Sequence, residues 1–343
     1  MQNIVIPPLA TEAANKVRAN WQHLCDEPRA LGKLEDVVAK FAAVRAQKAF
    51  TEELQVAMLL MCGDHGIAKY GISAYPQEVT KQMIGGYMRE TAGANVMARY
   101  AGADVAVVDV GTAFDLSEFD KVINKKVAWG TADFTQGPAM SEQQALQGIA
   151  AGRQVAEEYI AKGYNMLITA EMGIGNTTST AAIASAYLGL EPELTVGRGT
   201  GINDERMRIK RQIVADGLSK NKPVRGDALD ILCKVGGYDH AALVGMLLAG
   251  AQYRVPTMVD GVNATAAALI AYGLQPACAD YMFCSHLSAE TAHAKMLELL
   301  RLKPLVDAGM RLGEGTGAAL AIGILRSSLH MYQKMCEAGG YSA

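Results

Sequence analysis

The chain has 343 residues, half of them hydrophobic and 20% charged, with a formal net charge of −3. That length suits two units of roughly 150 residues or one large α/β domain with an appendage, and the apolar share excludes an intrinsically disordered chain. No basic stripe marks a nucleic-acid surface, while thirty-five glycines against six phenylalanines and two tryptophans point to tight turns and close backbone approaches.

Residues 1–21 show no basic stretch followed by an apolar one, so no secretory leader is expected and the expected location is cytoplasmic. Leu31, Leu34, Val37, Val38 and Phe41 recur at three- and four-residue spacing between Lys33, Glu35 and Lys40, and the first 50 residues read as helical. The texture then changes. Residues 56–63 (VAMLLMCG) form a continuous apolar run closed by Gly63-Asp64-His65-Gly66, which suits a strand buried on both faces. Similar runs follow at 105–111, 165–173, 255–261 and 281–286. Alanine-rich, helix-length segments lie between them, at 141–161, 178–188 and 240–253.

This alternation predicts an α/β fold with a parallel sheet flanked by helices. The polar and glycine residues close each strand at its C-terminal end, where open α/β sheets place ligands. A last helix over about Thr316–Cys336 has no following strand. It is expected to pack with the N-terminal helices, making a small helical domain from residues 1–50 and 318–343 beside a large catalytic domain over 51–317. The longest apolar stretch, residues 235–269, is broken by Asp239, His240, Gln252, Arg254, Asp260 and Asn263, so no membrane span is expected. Cysteines 25, 62, 233, 278, 284 and 336 form no C-x-x-C pair and read as reduced, mostly buried thiols.

Three glycine clusters carry the chemical signal. The segment from Ala170 to Ser179 (AEMGIGNTTS) leaves a strand and opens a helix, where close backbone approach and free N–H groups make an anion site. It lacks both G-K-[ST] and G-x-G-x-x-G. An ordinary helix capped by Asn176, Thr177 or Thr178 fits the same spacing. Gly197-Arg198-Gly199-Thr200-Gly201 precedes a helix carrying Arg206, Arg208, Lys210 and Arg211. That run supplies a point charge for phosphate or carboxylate, or else a solvated helix face. Gly313-Glu314-Gly315-Thr316-Gly317 holds a carboxylate between glycines, where desolvation would raise its pKa toward that of a general base. A helix-capping acid is the alternative. Asp64-His65 and His286 are further acid/base candidates at strand ends, or else hydrogen-bonded structural groups.

Together these segments resemble the nicotinate-nucleotide–dimethylbenzimidazole phosphoribosyltransferase family. The matching strings include Leu31-Gly32-Lys33-Leu34-Glu35, Gly63-Asp64-His65-Gly66, Pro76-Gln77-Glu78-Val79-Thr80, Val108-Asp109-Val110-Gly111 and Glu171-Met172-Gly173-Ile174-Gly175-Asn176-Thr177-Thr178. Lys234-Val235-Gly236-Gly237, Asp260-Gly261, Ser285-His286-Leu287-Ser288-Ala289-Glu290 and the run from Met310 to Leu320 continue the match, so it spans nearly the whole chain in order.

The resemblance implies a Rossmann-like parallel sheet, a small helical domain from both termini and a dimer. It also implies a pentosyl transfer that needs no metal and no cofactor, because nicotinate mononucleotide is itself a substrate. Its ribosyl phosphate passes to an incoming base with inversion to the α anomer, and nicotinate leaves. Glu314 matches the family's catalytic carboxylate, with Glu171 and Lys210 as its supporting charged residues. Gly173, Gly175, Asn176, Thr177, Thr178, Gly199, Gly201, Gly261 and Ser288 match its nucleotide- and phosphate-binding positions.

The acceptor positions depart from the benzimidazole-activating pattern. Tyr75 replaces a usual serine, Met83 a glutamine and Met172 a leucine, with Leu312 lining the same pocket. Loss of polar partners and gain of polarizable surface suit a phenol or p-cresol, which has only an attacking hydroxyl, over a benzimidazole with a second ring nitrogen to satisfy. The pattern is similar to the catalytic chain of the family's phenol-activating branch, which implies a homologous second subunit. Non-catalytic partnership in such a heterodimer is the rival reading. Residues 27–32 also depart, lacking the usual lysine before the proline and one residue before the leucine.

Overall fold

The computed structural model describes residues 4–25 and 27–343. Helices α1 (Thr11–Leu24) and α2 (Lys33–Arg45) precede strand β1 (Val56–Gly63). Helices α3 (Val79–Met88) and α4 (Gly93–Ala101) lead into β2 (Ala103–Gly111) and the short β3 (Ile123–Asn124). Next come α5 (Glu142–Ala161), β4 (Met166–Met172), α6 (Asn176–Leu188), α7 (Asp204–Asn221), α8 (Ala228–Val235) and α9 (Tyr238–Gln252). The chain closes with β5 (Thr257–Val259), α10 (Val262–Leu274), β6 (Met282–Cys284), α11 (His293–Leu300) and α12 (Thr316–Gly339).

All strand pairs are parallel, in the order β3-β2-β1-β4-β5-β6. This is the doubly wound arrangement, with a topological switch point between β1 and β4. The two central strands run side by side from Val56↔Met166 to Cys62↔Met172. Every residue of both is buried, as the unbroken apolar sequence of β1 requires, and β4 buries Thr169 and Glu171 along with its apolar residues. The expected runs at 255–261 and 281–286 shorten to three residues each. Pro256 has no N–H for the ladder, and the Asp260 N–H goes to the Thr169 hydroxyl instead (2.9 Å). The two-residue β3 is too short to leave a periodic signal.

Many glycines serve the helices rather than the turns. Helices α5 and α9 pack so closely that a Cβ on Gly152 would collide with the Ala242 carbonyl, and one on Gly245 with that of Ile149. A reciprocal Ser141–Gln144 capping box starts α5. Helix α12 spans two neighbourhoods. Arg326 donates to the carbonyls of Leu54 (3.0 Å) and Ala101 (3.2 Å) beside the sheet. Tyr332, further on, packs its ring 5.0 Å from Trp21 and from Phe50 and accepts from Asn20 (2.8 Å). Among the described residues no helix is long and apolar enough to cross a membrane. None of the six cysteines is in a disulfide, and four of them are buried.

Candidate active site

The glycine-rich turns converge where β1 and β4 end, on either side of the switch point. Gly173 lies against the Gly63 backbone so closely that a Cβ would strike the Gly63 carbonyl oxygen. Gly175 then adopts φ +104° and starts α6 with no side-chain cap, so Asn176, Thr177 and Thr178 leave that role open. The N–H groups of Asn176 and Thr178 turn back to the Gly173 and Gly175 carbonyls (3.2 and 3.0 Å), and the positive end of the helix dipole lies at this turn. Asn176 instead donates its side-chain amide to Glu171 at the end of β4. Burial pushes the Glu171 carboxyl up to about 8; Asp239, Asp260 and Glu314 add to the rise, while a hydrogen bond from Asn263 opposes it.

The second turn folds back on the first through α7. Arg206 and Arg208 are exposed, whereas Lys210 is fully buried. Its ammonium donates to Thr177 Oγ1 (2.8 Å) and to the Gly197 carbonyl (3.2 Å). Burial lowers its pKa to about 8, and Glu290 partly offsets this. Glu290 accepts from the Gly199 N–H (3.0 Å) and so ties the glycine turn in place. A Cβ on Gly199 would press on both Thr177 and Lys210. Gly201 has open space around it and touches none of these groups.

The third turn presents Glu314 in the left-handed region, at φ +60°, between Gly313 (+83°) and Gly315 (+78°). A non-glycine residue in this conformation is held there by its surroundings at a local energetic cost. Asp260 holds the turn, accepting from the Gly315 N–H (3.1 Å) and the Ala318 N–H (2.9 Å) at the start of α12. The helix cap is therefore Asp260, reaching across from β5, and Glu314 is left free. Burial raises the Glu314 pKa, the facing Tyr87 hydroxyl lowers it, and Asp260 raises it further. The Tyr87 hydroxyl is buried and makes no well-aligned hydrogen bond. Glu171 Oε1 lies 3.2 Å from the position of a Cβ on Gly313, so the two carboxyls occupy one pocket floor.

Met172 is buried beside this floor, and Met83 sits half-buried on α3, one turn before Tyr87. Tyr75 and Leu312 are 54% and 64% exposed. Thr200 accepts from the Ala74 N–H (2.8 Å), so the Tyr75 loop is joined to the second glycine turn. Gly261 and Ser288 neighbour each other beside His286. His286 is a packing group, lying where a Cβ on Gly317 would be and taking a hydrogen bond with Ser285 (2.9 Å).

Asp64 and His65 do not act as a pair. Asp64 accepts from Thr80 (2.6 Å) and the Ala113 N–H (2.9 Å), joining β1 to α3. His65 meets Ser179 (2.9 Å) and Asp239 (3.2 Å). His65, Asp239 and His240 place three ligand-type atoms within 4.8 Å of one another. His65 is engaged by Ser179 and Asp239 and His240 Nε2 by Thr180, while His240 Nδ1 lies 3.0 Å from Asp239 without a well-aligned hydrogen bond.

A phosphoribosyltransferase family model matches residues 6–339. The nicotinate-nucleotide–dimethylbenzimidazole phosphoribosyltransferase of Chloroflexus aggregans is 41% identical, over 97% of this chain and 95% of its own. That of Thermus thermophilus is 42% identical over 93% and 96%. The chain belongs to this phosphoribosyltransferase family. The crystal structure of CobT from Thermus thermophilus superposes with a TM-score of 0.90 at 40% identity, covering 96% of this chain and 99% of that one.

Within this phosphoribosyltransferase fold, several site neighbours were not singled out from sequence. Asp260 and Glu290 stood inside recognisable strings, and a cap from a distant strand end leaves no local trace. Tyr87 followed Gly85-Gly86 with nothing to set it apart from a core aromatic. Asp239, His240 and Asn263 are polar residues in otherwise apolar, buried helices, and that contrast is the available signal, whereas Thr180 follows a run of polar residues that hides it.

Proposed function

We propose that the chain transfers the ribosyl phosphate of nicotinate mononucleotide to a phenolic acceptor, phenol or p-cresol, releasing nicotinate. The bond from C1′ to the pyridinium nitrogen breaks and its electron pair stays on nicotinate. The acceptor oxygen forms a new bond to C1′ from the opposite face, giving the α-ribotide, and its proton passes to Glu314. Pyridinium is already a good leaving group, so positioning and proton removal are the main tasks left to the protein. The observation that carries this reading is Glu314 itself: a half-buried carboxyl at φ +60° that caps nothing, with a raised pKa. The α6 N-terminus, Lys210 and the 197–199 turn form the natural phosphate cradle beside it. No cofactor enters this scheme. A silent-subunit role fits poorly with a chain that keeps Glu314, Glu171 and Lys210.

The phenolic preference rests on Tyr75, Met83 and Met172, which offer an aromatic ring polarizable contacts without partners for a second ring nitrogen. Pairing with a homologous second chain is part of the same reading. Competition between p-cresol and dimethylbenzimidazole, with nicotinate mononucleotide as donor, tests it. The phenol should be ribosylated in preference, and the Tyr75→Ser/Met83→Gln double variant should move preference toward the azole by about tenfold, the effect of one regained hydrogen bond. Inert phenols beside a ribosylated benzimidazole refute the acceptor assignment.

A further inference from the structure

His293 opens α11 with no exposed surface and takes no part in the proposed chemistry, yet both of its ring nitrogens are engaged. Nδ1 accepts from the Ser288 backbone N–H (2.8 Å), and Nε2 lies 2.9 Å from Thr265 Oγ1 on α10. Thr265 donates in turn to the carbonyl of Gly261, which caps α10 (2.9 Å). The His293 backbone N–H closes the preceding turn on the Glu290 carbonyl (3.1 Å), and the Glu290 N–H reaches Ser288 Oγ (3.3 Å).

The proton on this ring is placed by its neighbours. Nδ1 faces a backbone donor and so presents a lone pair. The hydrogen of the neutral ring is therefore on Nε2 and goes to Thr265, whose own proton is given to Gly261. A second proton, on Nδ1, would point at the Ser288 N–H. Burial, with His286 beside it, pushes the His293 pKa down to about 3, so near neutral pH the ring keeps this one form. Its two bonds run in fixed directions to two different segments, which makes it a strut between α10 and the 288–290 turn.

The strut ends on Glu290. One carboxylate oxygen accepts from the Gly199 N–H (3.0 Å), and the other lies where a Cβ on Gly197 would be. The Gly197 carbonyl accepts from the buried ammonium of Lys210 (3.2 Å). One residue before Glu290, the Ala289 N–H donates to the Met310 carbonyl (3.0 Å), which ties the same turn to the segment leading to Glu314. A turn with glycines at 197, 199 and 201 has wide backbone freedom of its own, and holding it in place beforehand lowers the ordering cost of binding. We infer that His293 is a positioning residue for the donor phosphate: it braces the 288–290 turn against α10, aims Glu290 at the 197–199 turn and so fixes the cradle around Lys210. This rests on the proposed phosphate-binding role of that turn.

The test uses the full chain with His293→Leu and Thr265→Val. Calorimetry gives the Kd for nicotinate mononucleotide, for nicotinate riboside, which lacks the phosphate, and for inorganic phosphate. His293→Leu should weaken the mononucleotide and inorganic phosphate by about tenfold or more, the effect of about one hydrogen bond, while the riboside stays within about threefold of wild type. Thr265→Val keeps the volume but releases Nε2, and should weaken the same two ligands by at least about threefold. In a Glu290→Ala background His293→Leu should cost less than about threefold, because the strut then has nothing to aim. Equal losses for mononucleotide and riboside, as a general loosening of the fold would give, overturn the inference. So does unchanged phosphate affinity, or a full His293→Leu effect without Glu290. If His293→Leu does not fold, Thr265→Val decides by the same comparison of ligands. Absence of ribosyl transfer by the wild type would count against the proposed function instead, and inorganic phosphate binding would still judge the strut.

Discussion

Replacing Glu171 with glutamine should make the protein more stable and less active, and the gain should grow with pH. The folded carboxyl is pushed up to about 8 from an ordinary 4.5, chiefly by burial. A group raised in this way contributes stability that is complete below its unfolded value and is lost as pH rises through its folded value. The slope is about 1.4 kcal/mol per pH unit between the two values. By pH 7 the lost contribution is on the order of 3 kcal/mol, and by pH 8.5 it is between roughly 4 and 5 kcal/mol. Glutamine keeps the size and still accepts from Asn176, but it never charges. At about 2.1 cal/mol/K per residue, 3 kcal/mol corresponds to roughly 4 °C in Tm for a chain of this length. Urea unfolding at pH 5.5, 7 and 8.5 measures the difference, in which all other titrating groups largely cancel. The Glu171→Gln curve should pull away from wild type by about 3 kcal/mol between the first and last pH. Parallel curves would mean that Glu171 is not the proton-binding group the pocket makes it.

Glu314→Gln should leave the fold and nucleotide affinity intact while lowering turnover by about 10²–10⁴-fold, the usual worth of general-base assistance, in an assay of released nicotinate. Turnover within threefold of wild type removes Glu314 from the mechanism. Lys210, brought down to about 8 by burial, should lose its charge as pH rises through that value. The kcat/KM for nicotinate mononucleotide reports the free enzyme and should fall toward tenfold per pH unit above it. In Lys210→Met it should be low throughout, with that limb of the profile gone; an unchanged limb would assign it to another group.

The sheet was legible because its central strands are buried on both faces, and continuous apolar runs such as 56–63 leave few other readings. The site was legible in part because turns must be local: residues 173–175 and 313–315 show their glycines in sequence. Spacing could not separate a base from a cap at Glu314. That distinction depends on Asp260, a residue more than fifty positions away which caps α12 and leaves Glu314 free. The same holds for Lys210, indistinguishable in pattern from its exposed neighbours until α7 is packed against Thr177. Strands β5 and β6 are shorter than their runs because the Asp260 N–H leaves the ladder for the Thr169 hydroxyl, and beyond Ser285 the chain pairs with Val306 instead.

The electrostatics of the pocket floor bear on the donor as well as the base. Asp239, Asp260 and Glu314 all push the Glu171 pKa upward, while the buried ammonium of Lys210 reaches toward Thr177 and Gly197 instead. A surplus of carboxylates without a matching cation is met here by a proton on Glu171, carried by roughly nine-tenths of molecules at pH 7 for a pKa of about 8. In the proposed reaction the donor brings a pyridinium, and as the glycosidic bond breaks, positive charge moves onto the ribose carbon. Both are the charge that the floor lacks, so binding should displace the proton and leave carboxylates facing the developing cation. Calorimetric titration of nicotinate mononucleotide at pH 7 in buffers of different ionisation enthalpy measures this release. The observed heat should vary with buffer, with a slope approaching one proton, and the slope should shrink toward zero in Glu171→Gln. Buffer-independent heat for the wild type would show that the carboxyl is already ionised before the donor arrives, and that the surplus charge is balanced by some group other than Glu171.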